Sequence, residues 1–165
     1  MQILFIQTGG TIDKDYPKTT KGYGFEITEP AVKRILQKIK TENNFEIITF
    51  IKKDSQDITN NDRLKLTELC KKTKYDKIII THGTDTMIET ANELSVIKNK
   101  KIILTGALIP EKFKDSDADF NVGCAIGAIE YVPLGVYIAM NGKVFKHDEV
   151  KRNLKTGQFV SAIKF

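Results

Sequence analysis

A chain of 165 residues is long enough for one domain with a full core and too short for two ordinary ones. With 41% hydrophobic and 28% charged residues it fits a soluble globular protein, and no apolar run approaches the ~20 residues of a membrane-spanning helix. The net charge of +5 points toward acidic surfaces or nucleic acid, but the lysines cluster at expected helix ends (Lys38, Lys40, Lys71, Lys72, Lys74, Lys98, Lys100, Lys101) and no basic stretch interleaves with aromatics, so nucleic-acid binding is disfavoured.

The N-terminal run Met1 to Ile6 lacks a basic leader and ends in a Gly turn, unlike a secretory signal, so a cytoplasmic location is expected. Ile3 to Ile6 reads as a first buried strand, and Gln7-Thr8-Gly9-Gly10-Thr11-Ile12 as the turn after it. From Asp13 to Gly24 no helical or strand period is visible; this stretch, with Tyr16 and Tyr23, reads as a mobile lid hinged at Gly22 and Gly24. Thr28-Glu29-Pro30 opens a helix carrying Val32, Ile35, Leu36 and Ile39. Phe45 to Ile51 is a second strand, followed by the polar cluster Lys52 to Asp57. Asn60 or Asn61 is expected to cap the next helix, with Leu64, Leu66, Leu69 and Cys70 on its apolar face.

Ile78 to Ile80 forms the third strand, and Thr81-His82-Gly83-Thr84-Asp85-Thr86 leads into a helix with Met87, Ile88, Ala91 and Leu94. Thr84 or Asp85 alone would suffice as a helix cap, so several polar residues together point to a site. Lys101 to Thr105 is a fourth strand, and a loop with Asp115, Ser116, Asp117 and Asp119 precedes a helix with Val122, Ala125, Ile126 and Ile129. That acidic loop lacks the later glutamate of a calcium-binding EF-hand and reads as solvated. Gly135 to Ala139 is a fifth strand, turned by Asn141-Gly142 into a short strand near Lys143 to Phe145. Cys70 and Cys124 have no nearby partner cysteine and read as buried thiols, with no metal site.

The alternation predicts an α/β domain: a doubly wound, mostly parallel sheet of about five main strands, helices on both faces and a terminal β-hairpin. Every polar cluster follows a strand, so the fold gathers them at the carboxyl rim, where such sheets bind ligands. There is no G-x-S-x-G elbow, no G-x-G-x-x-G and no P-loop, and His82 reads as a turn residue. A hydroxyl nucleophile without histidine needs another base, and a lysine beside an aspartate can serve. Thr84, Asp85 and Lys151 are candidates, with backbone N–H groups at the turns of Gly10 and Gly83 holding an oxyanion in acyl transfer.

Four motifs resemble the bacterial-type L-asparaginase family: Thr8-Gly9-Gly10-Thr11-Ile12, Ser55-Gln56-Asp57, His82-Gly83-Thr84-Asp85-Thr86, and Asp148 to Asn153. The resemblance implies the flavodoxin-like fold of the family's N-terminal domain and cofactor-free hydrolysis of asparagine to aspartate and ammonia. It implies Thr11 as nucleophile, assisted by Tyr16 with Tyr23 competing for that role, and a second relay of Thr84, Asp85 and Lys151. Ser55, Gln56 and Asp85 are implied to bind the α-carboxylate and α-amino groups of an amino-acid substrate, with Gly10 and Gly83 lining the site. A homo-oligomer, dimer or tetramer, is expected. Most members carry a second domain, and this chain stops at Phe165, so a short, single-domain form spanning residues 1–165 is expected. The rival readings are a non-catalytic amino-acid-binding or regulatory module, and an amidase acting on a larger, tRNA-linked amide.

Overall fold

Runs of consecutive isoleucine and leucine set the architecture. In a pleated strand successive side chains point to opposite faces, so a strand without polar interruptions must be covered on both. Leu4, Ile6, Ile78, Ile80, Ile102 and Leu104 enter one hydrophobic cluster, whereas Ile3, Phe5, Ile79 and Ile103 enter a second on the other side. Each such side chain contributes about 1.5–3 kcal/mol by leaving water. The computed structural model describes residues 2–20 and 22–163; Met1, Lys21, Lys164 and Phe165 lie outside the described residues.

Strand β1 (Gln2–Gly9) is followed by a single 3-10 turn, Thr11–Asp13, and by four two-residue strands: β2 (Lys14–Asp15), β3 (Lys18–Thr19), β4 (Gly22–Tyr23) and β5 (Glu26–Ile27). Then come α1 (Ala31–Gln37), β6 (Asn44–Lys53), a 3-10 turn at Ser55–Asp57, α2 (Asn60–Lys72), β7 (Lys77–Thr81), α3 (Met87–Leu94) and β8 (Lys101–Thr105). The chain continues through α4 (Ala118–Tyr131), β9 (Gly135–Met140), β10 (Lys143–Lys146), β11 (Val150–Arg152) and β12 (Phe159–Ser161). Six strands make the main sheet in the order β10-β9-β8-β7-β1-β6. Neighbours from β9 to β6 run parallel, and β10 returns antiparallel through Asn141-Gly142, whose φ angles of 55° and 73° suit a tight hairpin turn. Counted along the chain, the five parallel strands lie in flavodoxin-like order 2-1-3-4-5, which puts the switch point between β1 and β7.

Helices cover both faces. Leu66 and Cys70 of α2 and Met87, Ala91 and Leu94 of α3 join one cluster, and Val32 and Ile35 of α1 and Val122, Ala125 and Ile129 of α4 join the other. Three local expectations are corrected. Helix α2 is capped by Thr59, not Asn60 or Asn61: its hydroxyl accepts from the Asp62 N–H while the Asp62 carboxylate accepts from the Thr59 N–H, a reciprocal capping box. Leu64 faces solvent, and Arg63 takes the inward position. The stretch Asp13 to Gly24 is not irregular: β2 pairs with β5 and β3 with β4, ladders too short to leave a period in the sequence.

Asp13 is fully buried where these pieces join, its carboxylate accepting from the Ala31 N–H at 2.7 Å and more weakly from the Thr81 hydroxyl at 3.5 Å. Burial raises its pKa from 3.8 to about 6, against the opposing Ala31, Gln7, Arg34 and Thr81. A raised carboxyl pKa means the folded chain holds a proton that the unfolded chain has released, so stability falls as pH climbs through that interval. Asp13→Asn is expected to become more stable relative to the parent by roughly 3 kcal/mol between pH 4 and pH 7, read by urea unfolding. A difference that does not change with pH contradicts this account.

Candidate active site

β7, β1 and β6 are adjacent, so the turns at their carboxyl ends lie side by side. Gly10, at φ 85°, packs its Cα against the backbone of Gly83 so closely that any Cβ would overlap it. A Cβ at Gly83 would in turn stand 2.7 Å from the Ser55 Cβ and Oγ. Hydrogen bonds lock the same junction: the Gly10 N–H donates to the Lys53 carbonyl at 3.0 Å, the Thr8 hydroxyl to the Thr81 carbonyl at 2.8 Å, and the Thr86 hydroxyl to the Ser55 carbonyl at 2.7 Å. Thr86 is thereby tied across to Ser55, and among the described residues it makes no side-chain cap on α3.

Five residues picked from the sequence sit on these three turns. Thr11 is half-buried, Thr84 and Ser55 are buried, and Gln56 and Asp85 reach solvent. The hydroxyls of Thr11 and Thr84 have no hydrogen-bond partner among the described residues, which leaves them uncommitted beside the Gly10–Gly83 contact. Gln56 Nε2 donates to Asp85 Oδ2 at 2.7 Å, joining two residues the sequence placed after different strands.

Lys151 stands apart from this group. Its side chain is exposed and makes no hydrogen bond or ion pair among the described residues, whereas the guanidinium of Arg152 donates through Nη1 to Asp85 Oδ1. β11 pairs with β12, and Val150 and Phe159 are buried in the core. Strand alternation then turns residues 150 and 152 inward and residue 151 out. An apolar Val two positions before Arg152 was the sequence signal for this. Arg152 first, then Gln56, hold the Asp85 carboxyl below its ordinary range, with Lys14 adding a smaller effect through space. Lys14 also pairs with Asp54 at 2.8 Å, tying the strand after the Thr11 turn to the residue before Ser55.

Tyr16 is exposed, stacks on Tyr23 with centroids 5.7 Å apart and lies 5.1 Å from the Phe25 ring; neither tyrosine hydroxyl bonds to Thr11 among the described residues. His82 is fully buried and bonds within its own turn and to α3. Its Nδ1 lies 2.7 Å from the Gly83 carbonyl, so that nitrogen carries the proton, and Nε2 accepts from the Thr90 hydroxyl, which accepts from Arg63 Nε at 3.1 Å. Burial pushes His82 down to about 4, so it is neutral and structural. Cys70 is buried and Cys124 half-buried. Among the described residues no cluster of His, Cys, Asp or Glu is arranged to hold a metal ion. In the acidic loop, Asp117 accepts from the Leu108 and Ile109 N–H groups and Asp119 pairs with Lys38.

A polar cleft of about 430 Å³ opens beside the site, with Lys14, Phe25, Lys53 and Asp54 in its walls. A larger groove of about 570 Å³ is lined by Leu64, Leu69 and Val96 on the outer helical layer rather than by strand-end turns.

A family model described as "Asparaginase, N-terminal" matches residues 2–159. The chain is 30% identical over 173 residues to a glutaminase-asparaginase of Acinetobacter glutaminasificans, covering 96% of this chain and 52% of that one. It is 31% identical over 159 residues to an L-asparaginase of Thermococcus kodakarensis, covering 92% of this chain and 48% of the relative. The solved thermostable L-asparaginase from Thermococcus kodakarensis superposes with a TM-score of 0.85 at 28% identity, covering 98% of this chain and 51% of that one. The chain thus spans about half the length of the relatives it matches.

The packing at the rim carries its own test. Gly10→Ala combines a φ of 85° with overlap against the Gly83 backbone, which cannot retreat without moving Ser55. A loss of about 2 kcal/mol or more in urea unfolding is expected; an unchanged midpoint contradicts the packing described.

Proposed function

This chain belongs to the family of asparaginase N-terminal domains, and from that premise we propose that it hydrolyses the side-chain amide of L-asparagine, giving L-aspartate and ammonia. The observation that carries the reading is the meeting of Thr11, Ser55, Gln56, Thr84 and Asp85 on three turns joined at Gly10 and Gly83. Thr11 is the proposed nucleophile. Its Oγ attacks the amide carbon, ammonia leaves with the hydroxyl's proton, and water then splits the resulting ester to release aspartate and restore Thr11. Asp85, ionised and held by two donors, receives the substrate's ammonium, and the buried Ser55 hydroxyl serves its α-carboxylate. The N–H groups of Thr11 and Thr84, which follow Gly10 and Gly83, stabilise the oxyanion; the Gly10 N–H is held by the Lys53 carbonyl. Thr84 orders the second step, in which water attacks.

The proposed assembly is a homo-oligomer. It is supported by the exposed rings of Tyr16, Tyr23, Phe25 and Phe113 beside the site, since exposed apolar patches mark interaction surfaces. Among the described residues no helix is long and apolar enough to cross a membrane. A cytoplasmic location is proposed, supported by the two unpaired cysteines.

One observation favours a second reading. A guanidinium on Asp85 does not give up a proton, which suits a module that binds aspartate or asparagine without turning it over.

Ammonia release from L-asparagine and L-glutamine separates the two. Thr11→Ala and Thr84→Val are each expected to lower kcat at least about 100-fold with an unchanged circular dichroism spectrum. Full turnover in either variant removes that threonine's role. Binding of aspartate with no ammonia release in the parent chain favours the second reading.

A further inference from the structure

We infer that Arg152 is a positioning residue: it clamps Asp85 for the incoming α-amino group and, unlike a lysine in its place, takes no part in proton transfer. The inference rests on the amidohydrolase reading and deepens it.

The geometry fixes the guanidinium from two sides. Nη1 donates to Asp85 Oδ1, and Nε donates to the Gly157 carbonyl at 3.3 Å. The loop presenting that carbonyl is itself closed, with the Gly157 N–H on the Asn153 carbonyl and the Asn153 N–H on the Gln158 carbonyl, both at 2.8 Å. Val150 and Phe159 sink the two flanking strands into the core. Arg152 is thus a rigid strut between the core-anchored β11–β12 pair and the turn after β7. The charged and polar groups that face Asp85 are Arg152 from β11, the Gln56 amide from the turn after β6, and, through space, the Lys14 ammonium from β2, which is paired with Asp54.

A guanidinium keeps its proton throughout the working range of an enzyme. A primary amine in the same place releases one as pH rises, and the free amine is a base for a neighbouring hydroxyl. The choice of arginine therefore gives a permanent anchor for Asp85 and forgoes a titrating base.

The test compares the intact chain with Arg152→Lys and Arg152→Met from pH 6 to pH 10, measuring ammonia release from L-asparagine and, separately, L-aspartate affinity by calorimetry. Arg152→Met is expected to weaken aspartate about tenfold or more. Arg152→Lys is expected to restore most of that affinity, and the ratio of its kcat to the parent's is expected to climb with pH, by up to about tenfold per unit. A ratio that stays constant across the range, or an Arg152→Met chain with the parent's aspartate affinity, overturns the inference. If no chain releases ammonia, the amidohydrolase reading fails by itself. The aspartate affinities then decide the positioning role alone: the tenfold loss upholds it and an unchanged value overturns it.

Discussion

Gly10 and Gly83 touch backbone to backbone at the switch point of the sheet, and this contact determines where every other group at the rim stands. Neither position has room for a Cβ, because the strands β1 and β7 are neighbours and their exit turns have to pass each other before diverging to opposite faces. Once the glycines meet, Thr11 and Thr84, the next residue of each turn, are brought to one place. Ser55 closes the third side against Gly83. Residues 10, 55 and 83 thus become neighbours through a contact that involves no side chain on two of its three members.

Charge is arranged around that contact in layers. Innermost are groups kept neutral: His82, driven down by burial, and the hydroxyls of Thr11 and Thr84. Outside them lies Asp85, kept anionic by Arg152 and Gln56. Such an order suits a zwitterionic ligand, whose charged backbone end is met by fixed partners while its uncharged side chain enters the less polar turn. The two-residue ladders from β2 to β5 carry Tyr16, Tyr23 and Phe25 over the same rim, tied to the Ser55 turn through Lys14 and Asp54.

The sheet was legible because it is buried on both faces: consecutive isoleucines such as Ile78 to Ile80 fit no other element of that length. Asn141-Gly142 was legible because few residues accept two successive left-handed conformations. The rim was legible as a set of polar clusters, since parallel strands send their carboxyl ends the same way. What escaped was information held by single residues. Lys151 and Arg152 are both cations one position apart, and only the burial of Val150 and Phe159 decides which of them turns inward. Thr59 and Asn60 are both good caps, and the choice is made by Asp62 three residues after Thr59. The short ladders after Asp13 gain their order from pairing across the chain, which leaves no local period to read. Asp13 itself reads as one more loop carboxylate, and it is buried between the start of α1 and the side chains of Gln7 and Thr81, which lie outside its own turn.

The most direct measurement of whether the Gly10–Gly83–Ser55 junction builds an amino-acid site is a crystal structure of the protein grown with L-aspartate. The account predicts the ligand's ammonium on Asp85, its α-carboxylate at Ser55 and its side-chain carboxylate beside Thr11. Aspartate bound in the cleft walled by Phe25 and Lys53, with Asp85 and Ser55 untouched, would contradict it.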